Sequence, residues 1–302
     1  MILSKAKRAQ VEEFLGDILD AQNEEIIVSR GGGKDCSVLF TNTAADRRLE
    51  EHAKSDQSCK TGYASLFPAL CSHCPFKNPK TTNFPSTFEL RDESGNYFSA
   101  TINTLVWLDD RPAVIFYLRD IQKERDINER LYNLAYIDQL TGVPNRTKFR
   151  EDFAAVQDAL MENKICGMVA LFDLDNFKAI NDTYGHNTGD VLLRRITEHL
   201  SGNDTYDGHL YRLGGDEFVL FYHTKQNTFA TPEELREHYE QLVQGAFLSY
   251  TMPTIDKSCT ISMGISFFPE HGATSSELLR KADIALYQSK KAGRNRLSVF
   301  ED

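Results

Sequence analysis

Five consecutive apolar residues that end abruptly in acidic ones are the feature that most constrains this chain. Residues 168–172, Met-Val-Ala-Leu-Phe, have the length and apolar character of a strand buried on both faces, and Asp173, Leu174 and Asp175 follow them directly. A carboxylate at the mouth of a buried strand is costly unless a cation compensates it. The segment therefore predicts a central strand with a divalent metal ion at its end.

Two glycines and two acids precede a second apolar run. Residues 212–217, Arg-Leu-Gly-Gly-Asp-Glu, lead into the apolar residues 218–222. Glycines between strand-forming residues predict a tight hairpin, where φ can be positive and a ligand can approach the backbone. If the two apolar strands are neighbours, Asp173 and Asp216 can share Mg²⁺ ions, which prefer oxygen ligands and neutralise phosphate charge. Taken alone, the same four residues are equally typical of a plain surface turn.

A short helix is predicted after the acidic strand end, with Lys178 and Asn181 on one face because they lie three residues apart. Gly185 is expected to end this helix, and Gly189 with Asp190 to begin the next. Asn181 and Asp190 offer an amide and a carboxylate, a combination that is able to pair with the N1/N2 edge of guanine.

A last helix is predicted over residues 278–291. It places Lys290 one turn before Arg294, with Gly293 between them as the expected helix stop. These two cations can hold a triphosphate, and they can equally complement the negative end of the helix dipole. The residues alone leave both interpretations open.

Composition limits the class of protein. A chain of 302 residues with 41% hydrophobic residues is long enough for two globular domains, and no apolar stretch approaches the roughly 20 residues that cross a bilayer. The formal charge of −10 argues against a binder of nucleic-acid polymers but not against a nucleotide. We therefore expect a cytoplasmic protein with no membrane span, whose six cysteines stay reduced.

The amino-terminal part has a different organisation. Residues 1–22 are predicted to form an amphipathic helix, and residues 23–120 a domain of two strands, a Cys- and Pro-rich middle and three antiparallel strands. Residues 121–137 are predicted to form a connector helix, in which Ile127, Leu131 and Leu134 recur at four- and three-residue spacing. This repeat is shorter than two heptads, so a solvated connector and a parallel dimer stalk both remain open.

Six motifs in the carboxyl-terminal part resemble those of the GGDEF diguanylate cyclase domain. They lie in the family's order over residues 138–302 and comprise residues 138–146, 173–182, 184–190, 214–218, 260–265 and 282–295. The resemblance implies an α/β sandwich like that of nucleotidyl cyclases and palm domains. It also implies the conversion of two GTP into cyclic di-GMP and two pyrophosphates, and a homodimer, since each domain holds one GTP.

The resemblance implies a metal site at the two acidic segments. The ion, Mg²⁺ or Mn²⁺, would be held by Asp173, the backbone carbonyl of Leu174 and Asp216. Glu217 would either complete the metal site or help to activate the attacking 3′-hydroxyl, and the resemblance does not decide between these roles.

The resemblance also implies residues that bind the substrate GTP. They are Lys178 for phosphate charge in the transition state, Asn181 and Asp190 for guanine, His186 beside the substrate, and Lys290 with Arg294 for the triphosphate. Two other interpretations stay open: a degenerate domain that binds GTP or partners without turnover, and another nucleotidyl cyclase or polymerase-like palm. A preference for ATP would favour the last, because it contradicts the guanine-binding roles.

The chain departs from the family at one place. Many such domains carry an Arg-x-x-Asp product-binding motif shortly before the hairpin, whereas Thr205, Tyr206, Asp207 and Gly208 stand there. Both key positions differ. We therefore expect no feedback inhibition by cyclic di-GMP through that primary site.

Residues 23–120 resemble a PAS sensory domain. The order of strands fits, as do residues 40–42 with Ala44 and Ala45 after the second strand, and the exit at residues 120–121 into a signalling helix. The resemblance implies control of the cyclase through dimerisation and leaves the sensory ligand unknown. The expected fold class is thus α+β: a PAS-like antiparallel sheet domain, a connector helix and a GGDEF sandwich.

Three cysteines of the PAS-like region are candidate sensor ligands. Cys59, Cys71 and Cys74 lie near His73, and a single Cys-x-x-Cys is half of a zinc signature. Free thiols, a metal or haem site and a redox switch all remain open. The other cysteines are expected to be packed residues in or beside strands: Cys36, Cys166 and Cys259.

Overall fold

The structure is a computed structural model, and it describes residues 16–30, 37–53, 67–76, 84–201, 209–225, 228–244, 250–251 and 258–301. The chain divides into two compact units, Met1–Asn128 and Glu129–Asp302, each with its own sheet and core. The division falls inside the helix that the sequence predicts as the connector. Within the described ranges, no helix has both the length and the apolar character needed to cross a bilayer.

Some predictions concern residues outside these ranges. They are most of the amino-terminal helix at 1–22, of which residues 16–20 are helical, and also Cys36, Cys59, the side chain of Cys71 and residues 205–208. Those predictions therefore stay predictions.

The first unit is built on a five-stranded antiparallel sheet in the order β2-β1-β5-β4-β3. Its strands are β1 (Glu25–Arg30), β2 (Ser37–Thr41), β3 (Ser86–Arg91), β4 (Tyr97–Val106) and β5 (Pro112–Asp120). Between β2 and β3 the described chain forms α1 (Thr43–Ala53) and α2 (Pro68–His73). Two strands, a helical middle and three antiparallel strands are the order that the sequence predicts.

An aromatic cluster forms the core of this unit on one face of the sheet. Phe98, Ala100 and Ile102 are fully buried and alternate with partly exposed neighbours on β4, as in a strand with one face against a core. The ring of Phe67 packs edge-on against Phe98 at a centroid distance of 5.0 Å. The guanidinium of Arg48 lies 4.3 Å from the centre of the Phe98 ring. The first unit thus has an apolar core of its own.

Helix α3 (Gln122–Tyr136) has no buried residue along its length. The predicted apolar positions Ile127, Leu131 and Leu134 are 47%, 57% and 69% exposed, so this face of the helix is not covered by described residues. A solvated connector and a dimer stalk both fit this observation.

The second unit contains a five-stranded sheet in the order β12-β11-β6-β8-β7. Its strands are β6 (Ile165–Leu174), β7 (Leu210–Gly214), β8 (Glu217–Lys225), β11 (Ile261–Phe268) and β12 (Leu297–Val299), while β9 (Tyr250–Thr251) and β10 (Ser258–Cys259) form a separate pair. Its helices are α4 (Arg146–Met161), α5 (Phe177–Tyr184), α6 (His186–Ser201), α7 (Pro232–Gln244) and α8 (Ser275–Lys291). β6 lies between β11 and β8, which confirms the predicted central strand.

Alternate residues of β6 supply two cores, one on each face of the sheet. Met168, Ala170 and Phe172 pack in the cluster that includes α5, α6 and α7. Val169 and Leu171 pack in the cluster that includes α4 and α8. This explains the continuous apolar run, because a strand covered by helices on both faces has no polar side. The second unit is therefore an α/β sandwich.

Two glycines set how closely the helices pack. A Cβ on Gly264 of β11 would lie 2.1 Å from the Ala282 carbonyl oxygen and 2.1 Å from the Leu286 nitrogen, so only glycine lets α8 approach the sheet this closely. Helix α6 begins at His186, three residues before the predicted start at Gly189. The earlier start is possible because Gly185 has a φ of +84° and turns the chain directly from α5 into α6.

The buried cysteines of the second unit are packed residues, as predicted. Cys166 and Cys259 are 2% and 3% exposed. Burial, with smaller contributions from nearby carboxylates such as Asp175, raises the pKa of Cys259 to about 12, so this group is a neutral thiol near pH 7. In the first unit, Cys74 is buried.

Candidate active site

The β7–β8 hairpin presents the acidic pair. Gly214 pairs with Glu217, so Gly215 and Asp216 are the two turn residues. Gly215 has a φ of +58°, and Asp216 is not among the residues with positive φ, which is the φ pattern of a type II′ turn. Asp216 therefore lies at the tip of the hairpin, whereas Glu217 is already the first residue of β8.

Asp173 lies beside this hairpin on the central strand. In the sheet it is directly opposite Glu217 on β8 and Ser262 on β11. The condition on which the sequence argument depended, that the two apolar strands are neighbours, is thus met. Burial raises the pKa of Asp173 above its usual value, Lys290 offsets part of the rise, and the charge of Asp216 adds to it.

Lys290 on α8 forms an ion pair with the Oδ2 atom of Asp173. The other oxygen, Oδ1, is buried and accepts no hydrogen bond from any residue that the structure describes. A buried carboxylate oxygen without a donor is unfavourable, and a hard cation is a partner that would satisfy it. The local chemistry of Asp173 therefore fits a divalent ion.

The three acidic side chains that are predicted to hold a metal ion, Asp173, Asp216 and Glu217, do not form a cluster of metal ligands. Within the described residues, no three His, Cys, Asp or Glu side chains are grouped so that they could hold a metal ion. The side chain of Glu217 is half exposed and lies 3.8 Å from the guanidinium of Arg146. A metal site here would thus combine few carboxylates with backbone oxygen, of which the Leu174 carbonyl is the predicted one.

Asp175 is a site residue to which the sequence assigned no role. It is buried, and its carboxylate accepts hydrogen bonds from Thr260 Oγ1 at 2.6 Å, Ser262 Oγ at 2.7 Å and the Asn295 backbone N–H at 3.1 Å. Arg294 Nε lies 3.9 Å from Asp175 Oδ1, the oxygen that also accepts from Ser262. No local sequence signal marks this role, because the hydrogen-bond partners of Asp175 lie 85 to 120 residues away in the chain.

The predicted phosphate-binding cations flank these carboxylates. Helix α8 ends at Lys291, and Gly293 follows with a φ of +112°, as the sequence predicts for a helix stop. Lys290 is one-third exposed beside Asp173, and Arg294 is half exposed beside Asp175. Lys290 and Arg294 thus lie at the same end of the central strand.

Asn181 and Gly189 bring α5 and α6 together. A Cβ on Gly189 would lie 1.9 Å from Asn181 Oδ1, so Asp190 directly follows the residue that contacts Asn181. Asn181 Oδ1 is buried, and no group in the described part of the chain donates a hydrogen bond to it. Lys178 on α5 and His186 at the start of α6 are exposed. Among the predicted site residues, the structure thus places Lys290 beside Asp173, and it places Gly189, the neighbour of Asp190, against Asn181.

Arg212 is a second residue that the sequence left without a role. It is buried, its Nε and Nη2 donate to the Gly215 carbonyl oxygen at 3.0 and 2.6 Å, and its Nη1 donates to Asp138 Oδ1 at 2.7 Å. Burial alone would raise the pKa of Asp138, but hydrogen bonds from Thr141 and Arg212 outweigh it and hold the pKa below its usual value. Arg212 therefore fixes the hairpin turn to the segment before α4.

That segment also holds the last turn of α3. Asn145 donates from Nδ2 to the Ala135 carbonyl oxygen and from its backbone N–H to the Tyr136 carbonyl oxygen. The Asn145 side chain also caps α4 by accepting from the backbone N–H groups of Thr147 and Lys148. The end of α3, the start of α4 and the hairpin are thus joined by hydrogen bonds.

Comparison with known proteins places these features in context. Residues 135–296, more than half of the chain, match the family model described as "Diguanylate cyclase, GGDEF domain". The chain is 38% identical over 182 residues to the cyclic di-GMP phosphodiesterase PdeR of Escherichia coli, which covers 60% of this chain and 26% of PdeR.

Two further relatives have similar identity. Over 175 residues the chain is 36% identical to the bifunctional diguanylate cyclase/cyclic di-GMP phosphodiesterase MucR of Pseudomonas aeruginosa, covering 58% of this chain and 25% of MucR. Over 174 residues it is 35% identical to the diguanylate cyclase DgcP of Escherichia coli, covering 57% of this chain and 49% of DgcP. The chain thus spans between a quarter and a half of the length of these relatives.

Proposed function

Because the chain belongs to the family of diguanylate cyclase GGDEF domains, we propose that it condenses two molecules of GTP into cyclic di-GMP and releases two pyrophosphates. The observation that carries the proposal is the end of the central strand, where Asp173 lies directly opposite Glu217 and the tip of the hairpin presents Asp216. Nucleotidyl transfer of this kind depends mostly on positioning and on electrostatic stabilisation of phosphate charge.

The residues that would hold Mg²⁺ or Mn²⁺ are Asp173, Asp216 and the carbonyl of Leu174, with Glu217 beside them. Asp173 Oδ1 is a buried oxygen to which no described residue donates, and this supports the assignment. When bound, the ion supplies positive charge to the phosphates of GTP. Glu217 is half exposed and lies 3.8 Å from Arg146, so its carboxylate is accessible either to join the site or to accept the proton of the attacking 3′-hydroxyl.

Guanine recognition is assigned to Asn181 and Asp190. Asn181 Oδ1, to which none of the described residues donates, and the Asp190 carboxylate are acceptors, and the guanine edge offers the matching donors N1–H and N2–H₂. Adenine presents an acceptor at N1, so this pair of acceptors favours GTP over ATP. His186, the first residue of α6, would lie beside the substrate.

The phosphates are assigned to three cations. Lys290 and Arg294 would hold the triphosphate at the end of the central strand, where they already lie beside Asp173 and Asp175. Lys178 is exposed on α5, three residues after the buried Asp175, and would neutralise phosphate charge in the transition state.

The reaction requires two domains, since each holds one GTP, and we therefore propose a homodimer. The exposed apolar side chains of α3, Ile127, Leu131 and Leu134, support pairing along this helix. The first unit is proposed to be a PAS-like sensor that controls this pairing in the cytoplasm. With residues 205–208 lacking the product-binding pattern, cyclic di-GMP is not expected to inhibit through that primary site.

A domain that binds GTP without turnover is the second candidate. It is favoured by the absence, within the described residues, of three metal-ligating side chains grouped for an ion. The two candidates differ in product and not in substrate binding, so an assay of the product separates them.

The test incubates the purified full chain with GTP and Mg²⁺ and detects cyclic di-GMP by mass spectrometry over a range of enzyme concentrations. Asp173→Asn and Glu217→Gln are each expected to lower turnover by at least about a hundredfold with an unchanged circular dichroism spectrum. Asp158→Asn, at an exposed position of α4, is the matched control. GTP binding without product at any enzyme concentration would establish the second candidate, and a preference for ATP would contradict both.

A further inference from the structure

The carboxylate of Asp175 lies at the centre of a hydrogen-bonded network whose donors lie outside the β7–β8 hairpin. The side chain of Asp175 is only 1% exposed, and it accepts from Thr260, Ser262 and the backbone of Asn295. A buried carboxylate is tolerated only where hydrogen bonds and opposite charge compensate it. Three donors and the nearby guanidinium of Arg294 meet that requirement.

The donors come from two separate parts of the chain. Thr260 directly precedes β11, and Ser262 is the second residue of that strand. Arg294 and Asn295 belong to the turn between α8 and β12. The backbone N–H of Asp175 also donates to the Thr260 carbonyl oxygen at 2.8 Å. Asp175 therefore ties the turn after α8 to the end of the central strand.

This turn has an unusual backbone. Arg294 and Asn295 have φ values of +63° and +48°, so two consecutive residues with side chains adopt the left-handed conformation. Such a conformation persists where surrounding contacts determine it. Three hydrogen bonds do so here. The Arg294 N–H donates to the Ser289 carbonyl oxygen at 3.1 Å, the Arg294 carbonyl oxygen accepts from Arg296 Nε at 3.1 Å, and the Asn295 N–H donates to Asp175.

We propose that Asp175 is a positioning residue that holds Arg294 in place for the triphosphate. It fixes the backbone at 294–295 through the Asn295 N–H and attracts the Arg294 guanidinium from 3.9 Å, while half of the Arg294 side chain stays exposed to a ligand. This inference rests on the proposed function, because Arg294 needs a triphosphate to hold.

The experiment measures binding, and not turnover, by isothermal titration calorimetry of the full chain. The ligands are guanosine 5′-(α,β-methylene)triphosphate, which cannot release pyrophosphate, and GMP, which lacks the β- and γ-phosphates. The proteins are wild type, Asp175→Asn, Arg294→Ala, the double variant and the control Asp158→Asn. Thr260→Val, which removes one donor to the carboxylate oxygen shared with Asn295, provides a milder variant if Asp175→Asn does not fold.

Asp175→Asn is expected to raise the Kd for the methylene triphosphate about tenfold and the Kd for GMP less than about twofold. The double variant should bind like Arg294→Ala alone, since Asp175 acts through Arg294, and Thr260→Val should show a smaller loss of the same kind. Additive losses in the double variant, or equal losses for both ligands, would overturn the inference. Failure of the wild-type chain to bind either guanine nucleotide would instead overturn the proposed function, and this inference with it.

Discussion

Replacing Arg212 by methionine is expected to let the β7–β8 hairpin open far more often. The substitution keeps an unbranched apolar stem and removes the guanidinium, which is the group that bonds to both Gly215 and Asp138. The Gly215 carbonyl and the Asp138 carboxylate are then left without this donor. The hairpin that carries Asp216 and Glu217 loses its connection to the segment before α4.

The size of the effect follows from three hydrogen bonds. Two of them share the Gly215 oxygen and count as one, and the third joins two charged groups. A hydrogen bond to a charged group contributes about 1.5–3 kcal/mol. The side chain of Asp138 is 23% exposed, so water replaces part of its lost contact. The free energy needed to open the hairpin therefore falls by about 2–4 kcal/mol, which raises the equilibrium constant for opening roughly 30- to 1,000-fold.

Hydrogen–deuterium exchange of the intact protein, read by mass spectrometry on peptides from β7 and β8, measures this opening directly. Fluorescence is unsuitable, because the chain has one tryptophan, Trp107, and it lies in the first unit. Arg195→Met, at an exposed position of α6, is the matched control. Arg212→Lys keeps the charge without the planar fork and should lose about half as much protection.

The result that would refute the reasoning is equal protection of the hairpin amides in the Arg212→Met and Arg195→Met proteins. Loss of protection spread evenly over the whole second unit would also contradict it, because the argument places the effect at the hairpin. A loss confined to β7, β8 and the residues around Asp138 agrees with it.

Three further substitutions have defined outcomes. Asp138→Asn should lower the free energy of unfolding of the second unit by about 1–3 kcal/mol at pH 7. The pKa of Asp138 in the folded protein lies below its value in the unfolded chain, so this difference in stability should be present above about pH 4 and disappear as the pH falls through the folded pKa. Urea unfolding followed by hydrogen exchange at pH 7 and pH 3 measures the difference. Gly189→Ala places a Cβ on Asn181 Oδ1 and should weaken GMP binding about tenfold in calorimetry, with unchanged binding arguing against a role of Asn181 in guanine recognition. The Cβ added by Gly264→Ala would meet backbone atoms of α8, which cannot move aside as a side chain can. The free energy of unfolding, measured by chemical denaturation, should fall by about 3 kcal/mol or more, whereas a loss under about 1 kcal/mol would show that α8 shifts easily.

Local sequence patterns were sufficient to predict the central strand and the hairpin of the second unit. The apolar run at residues 168–172 predicts a central strand because only a strand covered on both faces lacks polar alternation, and β6 has this burial. The paired glycines predict the hairpin because a two-residue turn needs positive φ. The assignment of neighbouring strands was a condition in the sequence argument, and the pairing of Asp173 with Glu217 fulfils it.

Local patterns could not predict the roles of Asp175 and Arg212, because all of the described partners of Asp175 and one of the two partners of the Arg212 side chain are distant in sequence. Asp175 bonds to groups 85 and 120 residues away, and Arg212 to a carboxylate 74 residues away. The start of α6 was misplaced for a related reason, since the tight turn at Gly185 and the contact of Gly189 with Asn181 depend on how two helices pack. No periodicity within either segment encodes these contacts.

The alternation of β6 between two cores has a consequence for how the length of this strand can change. Its even-numbered residues from Met168 to Leu174 pack in one core and its odd-numbered residues Val169 and Leu171 in the other. Insertion or deletion of a single residue within the strand would exchange the two sets and rotate Asp173 away from Lys290 to the opposite face of the sheet. Only changes of two residues would keep the side chains on their faces, and these would move the acidic end relative to Glu217. The number of residues in β6 is therefore constrained as strictly as their chemical nature.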